Sequence, residues 1–437
     1  MDRTQFACIV RFMTLLQILL LLLLGTKYLF ERILSLLNAR TIRSKLKEFP
    51  KEVRAYMDIE DWEKCSEYTL SKSRFAMVEE FYSLSLSFFI LFFGLPWTFR
   101  VWPVDRFTPV WETSFLVTSL VIVIQLSGLV FDWFRQFHLE QKFGFNNQTH
   151  RLWFFDKVKE TLLSFVFFFL MIGLLVLLYR ECSILSPNYW WFWSFGAVFF
   201  LQLVLMVLWP RFILPLFNTL SPLEDVGLKS KLHRLAEKTG FKAKEIQVID
   251  GSKRSGHSNA FFTGFGRFRK IVLYDTLLEQ MTENEIEAVV AHEIGHYRLG
   301  HIPKRLAMSL VLGWLFFYIL HLLLSTDWLI GQLELSDQLS GAFVPVFLFA
   351  LFFGGCFSYW LNPVSNLLSR KHEYEADRFA SEATGGSQAL KSALRKLCVK
   401  NLSYPLPHPW LSYFHHSHPS LPEREFSLSQ DAEQKIS

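Results

Sequence analysis

Long apolar runs set the limits on what this chain can fold into. Residues 8–30, 81–97, 112–131, 162–179, 189–209, 306–324 and 342–361 hold almost no charge, and about 17–25 such residues are what an α-helix needs to cross a bilayer. Hydrocarbon offers backbone N–H and C=O groups no partner, so each run must close its hydrogen bonds within itself. That predicts an all-α multi-pass membrane protein with seven transmembrane helices. With 51% of its 437 residues hydrophobic and 46 of them Phe, the chain departs from the makeup of a soluble domain. The first run follows Arg3, but it is longer than a signal-peptide core and no small-residue cleavage site follows, so it is expected to stay as a helix. Trp97, Trp102, Trp190 and Trp209 suit the membrane–water interfaces. Gln125, Asp132 and Gln202 are candidates to line a polar interior or to bond a neighbouring helix.

Basic loops stay on the cytoplasmic side of a membrane. Residues 32–74 carry ten Lys and Arg and residues 135–159 carry five, whereas residues 325–341 carry none. The alternation predicts the N-terminus outside and the C-terminus inside. A net charge of +5 is then explained by these loops and anionic lipid, not by nucleic acid. Cys8, Cys65, Cys182, Cys356 and Cys398 are scattered and form no CxxC pair, which argues against a disulfide framework and a thiolate metal site. The sequons at Asn147 and Asn401 fall on the cytoplasmic side, where they would go unused. The expected organisation is five membrane helices with loops over 1–210, a polar region over 211–305, two further spans over 306–361, and a second polar region over 362–437. The two polar regions are expected to fold together.

The first of them contains His292-Glu293-Ile294-Gly295-His296, an HExxH motif. On a helix, residues i and i+4 stack one turn apart, so His292 and His296 can both reach one Zn²⁺ at about 2.0–2.1 Å. Glu293 then projects beside the metal, where it can deprotonate a water whose pKa the cation lowers toward about 7. Thr282 and Glu285 form a capping box ahead of the motif, Ile286, Val289, Val290 and Ile294 recur at helical spacing, and Pro303 marks the expected helix end. As bare residues, His292 and His296 are also compatible with ordinary helix histidines, so the assignment needs a third ligand.

Residues 369–377, SRKHEYEAD, supply a candidate. If helical, Glu373 and Asp377 share a face, so Glu373 is assigned to zinc and Asp377 to a hydrogen bond that orients a ligating imidazole. Composition alone also allows a solvated charged helix. His372 and Glu375 fall on other faces and are expected at the surface. His301 comes too early for a metzincin-type third ligand, so it is read as an interfacial residue or one that supports a ligand, and is kept as the fallback ligand. Within the first polar region, residues 245–250 and 270–274 look like strands joined through a turn-rich loop, a hairpin whose edge could hold an extended peptide. Asn259, in the loop, is equally compatible with a simple turn position.

The segments HSNAFFTGFGRFRKIVLYDTLL, AHEIGHYRLGH and SRKHEYEAD, with Ser417-His418-Pro419, together resemble the integral-membrane gluzincin family of type I CAAX prenyl endopeptidases. FGFNNQT at 143–149 and PLFN at 215–218 extend the resemblance over most of the chain. It implies seven helices around a large water-filled intramembrane chamber, closed on the cytoplasmic side by a gluzincin-like α+β zinc domain. It further implies cleavage of prenylated CAAX proteins after the modified cysteine, releasing the last three residues. By position, His292, His296 and Glu373 match the ligands of one zinc per chain and Glu293 the catalytic carboxylate. Asn259 and His418 match residues that bind substrate backbone and steady the oxyanion, and Arg424 matches an arginine near the site, grouped here with substrate binding. The expected membrane is bacterial cytoplasmic or endoplasmic reticulum, with no readable retention signal to choose between them. A quality-control protease for membrane proteins is the alternative within the same chemistry. A transporter or scaffold with structural zinc is the alternative outside it, disfavoured because two His and one Glu leave a coordination position open.

Overall fold

The computed structural model describes residues 13–102, 108–241, 245–263, 269–335 and 342–434. Cys8, the start of the first apolar run and Gly264 to Gly266 of the expected hairpin lie outside the described residues.

Six described helices are long and apolar enough to cross a membrane: α2 (Ile59–Val101), α3 (Val110–Phe143), α4 (His150–Leu185), α5 (Trp190–Phe217), α9 (His301–Leu324) and α11 (Phe343–Thr384). Each coincides, to within a residue, with one of the expected spans or extends beyond it. The remaining span falls in α1 (Leu15–Leu46), whose apolar block is followed within two turns by Lys27, Glu31 and Arg32, so it is less purely apolar than the other six. Leu22, Phe93, Leu170, Phe200 and Val311 point outward, as they do where the solvent is lipid, while Leu20, Leu91, Val117, Ile172, Phe317 and Phe353 pack into one core between the helices. Pro96 and Pro210 sit beside or within wide π-helical turns at Ile90–Gly94 and Trp209–Ile213, where the looser winding accommodates the missing N–H and the ring. Gln202 bonds Ser309 on α9 at 3.1 Å and Asp132 pairs with Lys157 on α4 at 3.1 Å, so both serve helix–helix contacts. Trp190 does not sit at an exposed interface: it is buried, with its indole N–H on His321 Nδ1 at 3.2 Å. Among the described residues, Cys65, Cys182, Cys356 and Cys398 are free thiols.

The extramembrane layer holds β1 (Leu220–Pro222), α6 (Val226–Lys238), β2 (Glu245–Ile249), β3 (Ala260–Thr263), β4 (Lys270–Tyr274), α7 (Asp275–Gln280) and α8 (Glu283–Arg298). After α9, the short α10 (Trp328–Gln332) and α11, it is completed by α12 (Gln388–Lys400), α13 (Pro409–His415) and α14 (Leu421–Gln434). The sheet runs β1-β2-β4-β3. The expected hairpin is corrected here. β2 pairs with β4 in parallel, Glu245 opposite Lys270, and it is β3 that forms the antiparallel partner of β4, Ala260 opposite Leu273. AFFT at 260–263 went unread because it follows directly on the turn-rich loop and reads as part of the connection. β3 therefore takes the sheet edge. Leu232, Leu273, Ile286 and Ile294 share a core with Ala380, Leu390 and Leu428, which draws residues from either side of the last two spans into one hydrophobic unit.

The loop ahead of β3 is clamped from the membrane helices. Gly256 N–H donates to Phe145 C=O at 3.0 Å and Asn147 N–H to Arg254 C=O at 3.2 Å, Arg254 pairs with Asp156 at 2.9 Å, and Phe145 stacks on His257 at 3.9 Å. That is what the FGFNNQT segment does.

At the start of α8, Thr282 N–H donates to the Glu285 carboxylate at 2.7 Å, the expected capping box, and Ser392 and Lys396 of α12 donate to it at 2.6 and 2.7 Å. Burial alone would raise the Glu285 carboxyl, but Lys396 and the hydroxyl donors outweigh it and hold it down to about 2. A folded value below the ordinary 4.5 contributes stability that is full above 4.5 and is lost as pH falls toward 2. Acid denaturation of the wild type should therefore steepen in that window, and Glu285→Gln should flatten it while lowering stability at neutral pH; a melting-temperature series against pH reads both. The helix ends at Arg298 through Gly300, whose left-handed φ of 69° makes the turn. Pro303 is not the stop: it lies in the first turn of α9, where its missing N–H costs nothing.

Candidate active site

α8 and α11 cross closely at Gly295. A Cβ there would stand 3.2 Å from Ala376 Cα and 3.3 Å from Ala376 C=O, so the glycine between the two histidines is what lets the helices approach. The crossing sets His292 and His296 against Glu373. His292 Nε2 and His296 Nε2 lie 3.2 Å apart, and Glu373 is 3.4 Å from the first and 3.3 Å from the second. Glu373 reaches His292 through Oε2 and His296 through Oε1, so its carboxylate lies against both imidazole nitrogens at about the 3.3 Å that separates ligand atoms around a tetrahedral ion with bonds of about 2.0–2.1 Å. Glu373 is 1% exposed, and its Oε2 is a buried acceptor without a hydrogen-bond donor in proper geometry. These residues fit a metal ion.

Behind them, His292 Nδ1 is 2.9 Å from Asp377 Oδ1, the orienting contact expected of Asp377. Arg424 of α14 holds Asp377 in turn, its Nε on Oδ2 at 2.7 Å and a second nitrogen on Oδ1. Arg424, expected among the substrate-binding residues, is buried at the wall of the same cavity as Asn259 and His418; two of its nitrogens hold Asp377 and the third lies 3.7 Å from Glu373 Oε2. Burial disfavours a charged ring at His292, yet Asp377 and Glu373 outweigh it and hold the imidazolium up to about 9. A dication held by the same residues would take the place of that proton, since only the neutral ring has a lone pair to give. Glu293 lies on the same helix face, and its burial pushes its carboxyl up while His292 and His296 pull it back.

His418, between α13 and α14, approaches Glu373 from the other side, Nδ1 to Oε2 at 2.9 Å, with 64% of its side chain exposed. It faces a cavity of about 920 Å³ that also takes in Asn259 at the head of β3, Tyr274, and Tyr68 and Lys72 from α2. Tyr68, Lys72 and Asn401 were not read as site residues in the sequence. Asn401, noted only as a sequon, accepts Ser258 N–H at 3.1 Å and so steadies the backbone beside Asn259.

His372 and Glu375 are corrected. His372 is buried and stacks on His301 at 4.0 Å, and Glu375 reaches His301 Nε2 at 3.0 Å. Their helix face is covered by the start of α9, a contact that spacing along α11 could not reveal.

A helical membrane protein in which an HExxH helix meets a glutamate from a second helix is a membrane metallopeptidase. Residues 38–219 match the family described as CAAX prenyl protease N-terminal, five membrane helices, and residues 222–431 match peptidase family M48. The chain is 33% identical to the CAAX prenyl protease 1 homolog of Oryza sativa subsp. japonica over 93% of this chain and 96% of that one. It is 33% identical to CAAX prenyl protease 1 of Saccharomyces cerevisiae over 89% and 90%. The crystal structure of S. mikatae Ste24p superposes with a TM-score of 0.83 at 30% identity, covering 94% of this chain and 98% of that chain. The chain belongs to the CAAX prenyl protease 1 family within peptidase family M48. That membership sets aside the transporter or scaffold alternative.

Proposed function

We propose that this protein is a zinc endopeptidase that removes the C-terminal tripeptide from prenylated CAAX proteins, with its site on the cytoplasmic face. The convergence of His292, His296 and Glu373 beside Glu293 carries the chemistry, and the CAAX prenyl substrates after which the relatives are named support the clients. The basic loops support the cytoplasmic side, and the shared core supports one catalytic domain built from 211–305 and 362–437.

When bound, zinc polarises the scissile carbonyl and lowers the pKa of the attacking water toward about 7. Glu293, beside the ligands but not among them, takes the water's proton and returns it to the leaving nitrogen. Asn259 and the edge strand β3 hold the tail extended by strand addition, and the His418 ring donates to the oxyanion as it forms. Asp377, clamped by Arg424, keeps His292 in the ligating tautomer. In this reading Arg424 acts through Asp377 and not on the substrate. Asn38, Tyr68 and Lys72 bring the membrane helices to the same cavity, where a lipidated tail would enter.

Purified protein should release the tripeptide from a farnesylated CAAX peptide, read by mass spectrometry, and leave its unprenylated twin intact. Equal cleavage of both, with scattered cuts in an unprenylated membrane protein, would overturn the prenyl requirement and favour the quality-control protease.

A further inference from the structure

The contacts of His296 extend beyond the nitrogen that faces the metal. Its Nδ1 lies 2.9 Å from Nδ1 of His301, and His301 Nε2 lies 3.0 Å from Glu375 Oε2. His301 is 1% exposed, and its ring lies nearly parallel to that of His372, 4.0 Å away at 12°, which fixes its plane. We propose that His301 is a positioning residue: it accepts the Nδ1–H of His296, donates its own Nε2–H to Glu375, and so locks His296 in the tautomer whose Nε2 is free to ligate. This rests on the reading of His292, His296 and Glu373 as the metal ligands.

Counting hydrogens carries the argument. An imidazole that ligates through Nε2 keeps its hydrogen on Nδ1. Two nitrogens 2.9 Å apart need one N–H and one lone pair between them, so His301 must present a bare Nδ1. A neutral ring bare at Nδ1 carries its hydrogen on Nε2, and the acceptor facing that atom is a carboxylate oxygen. Each link has a donor on one side and an acceptor on the other. The same count decides against a second cation, for which His301, His372 and Glu375 are close enough, with ligand atoms within 4.8 Å. A cation on His301 Nε2 would use that lone pair and move the hydrogen to Nδ1, against the N–H of His296. The two ligating rings are thus held differently, His292 by a carboxylate directly and His296 by a neutral ring backed by one.

The test uses the full-length protein in detergent and measures zinc affinity by competition with a chelator. Asn places its side-chain oxygen near the position of Nδ1, whereas Gln reaches the position of Nε2 and leaves the Nδ1–H of His296 without an acceptor. His301→Asn should keep zinc affinity within about threefold of wild type, and His301→Gln should lose about 10–100-fold, the usual range for such partners. Asn removes more of the ring than Gln does, so a mere packing role would weaken Asn at least as much as Gln; that result, or wild-type affinity in both variants, would overturn the proposal. A second zinc equivalent lost in His372→Ala would overturn it in favour of the cation cluster. Zinc affinity unchanged in His296→Ala would instead sink the ligand reading itself, a pattern distinct from either.

Discussion

Glu293→Gln should lower kcat on a cleavable peptide by about 10²–10⁴-fold, the range for losing a general base, while the protein keeps its full metal content. The substitution is nearly isosteric and removes only the ability to take a proton. Because the proposed ligand atoms come from His292, His296 and Glu373, the glutamine leaves that set intact, and KM should move little. The companion variants His296→Ala and Glu373→Ala should lose both activity and metal. Parallel kinetics and metal analysis on the three proteins separate the base from the ligands; loss of metal in Glu293→Gln would place Glu293 among the ligands and undo the assignment.

Arg424→Met should destabilise the fold by about 3–5 kcal/mol, the cost of breaking a buried pair from one side. Asp377 is 1% exposed and takes two bonds from the guanidinium, so removing Arg424 leaves a carboxylate inside the protein with only His292 to face. The double variant Arg424→Met with Asp377→Leu removes both charges and should recover much of the loss, though His292 then lacks its orienting partner and metal affinity stays low. Arg424→Lys should fall between, because an ammonium offers no planar fork to match both carboxylate oxygens. Denaturant midpoints of the four proteins check the order; equal midpoints for Arg424→Met and wild type would show that Asp377 does not depend on the pair.

The parts of the site governed by local period were legible in the sequence. His292 with His296, and Glu373 with Asp377, are each one helical turn apart, and a turn is a property of the segment itself. Which face of α11 meets another element is not such a property. His372 and Glu375 looked solvated because the start of α9 that covers them lies some seventy residues away in the chain, positioned by the turn at Gly300. The sheet failed for a related reason: β2 and β4 were recognised as strands, but a parallel pair with a strand inserted beside it is a choice of topology that two short segments do not encode. Trp190 was assigned to an interface on residue type, and the His321 acceptor that allows it to be buried lies on another helix. Asn401 hid behind a sequon because its partner, Ser258, is reached only through the fold.

His296 and Glu373 are separated in the chain by α9 and the apolar part of α11, two helices of membrane-crossing length. Glu373, the proposed third ligand, rides on the polar extension of the second of them. If either helix fails to insert, Glu373 is left on the wrong side of about 30 Å of hydrocarbon from the two histidines. A chain in which one of the two crossings is missed cannot close the triangle of ligands, so assembly of the site depends on how the last two spans thread the bilayer.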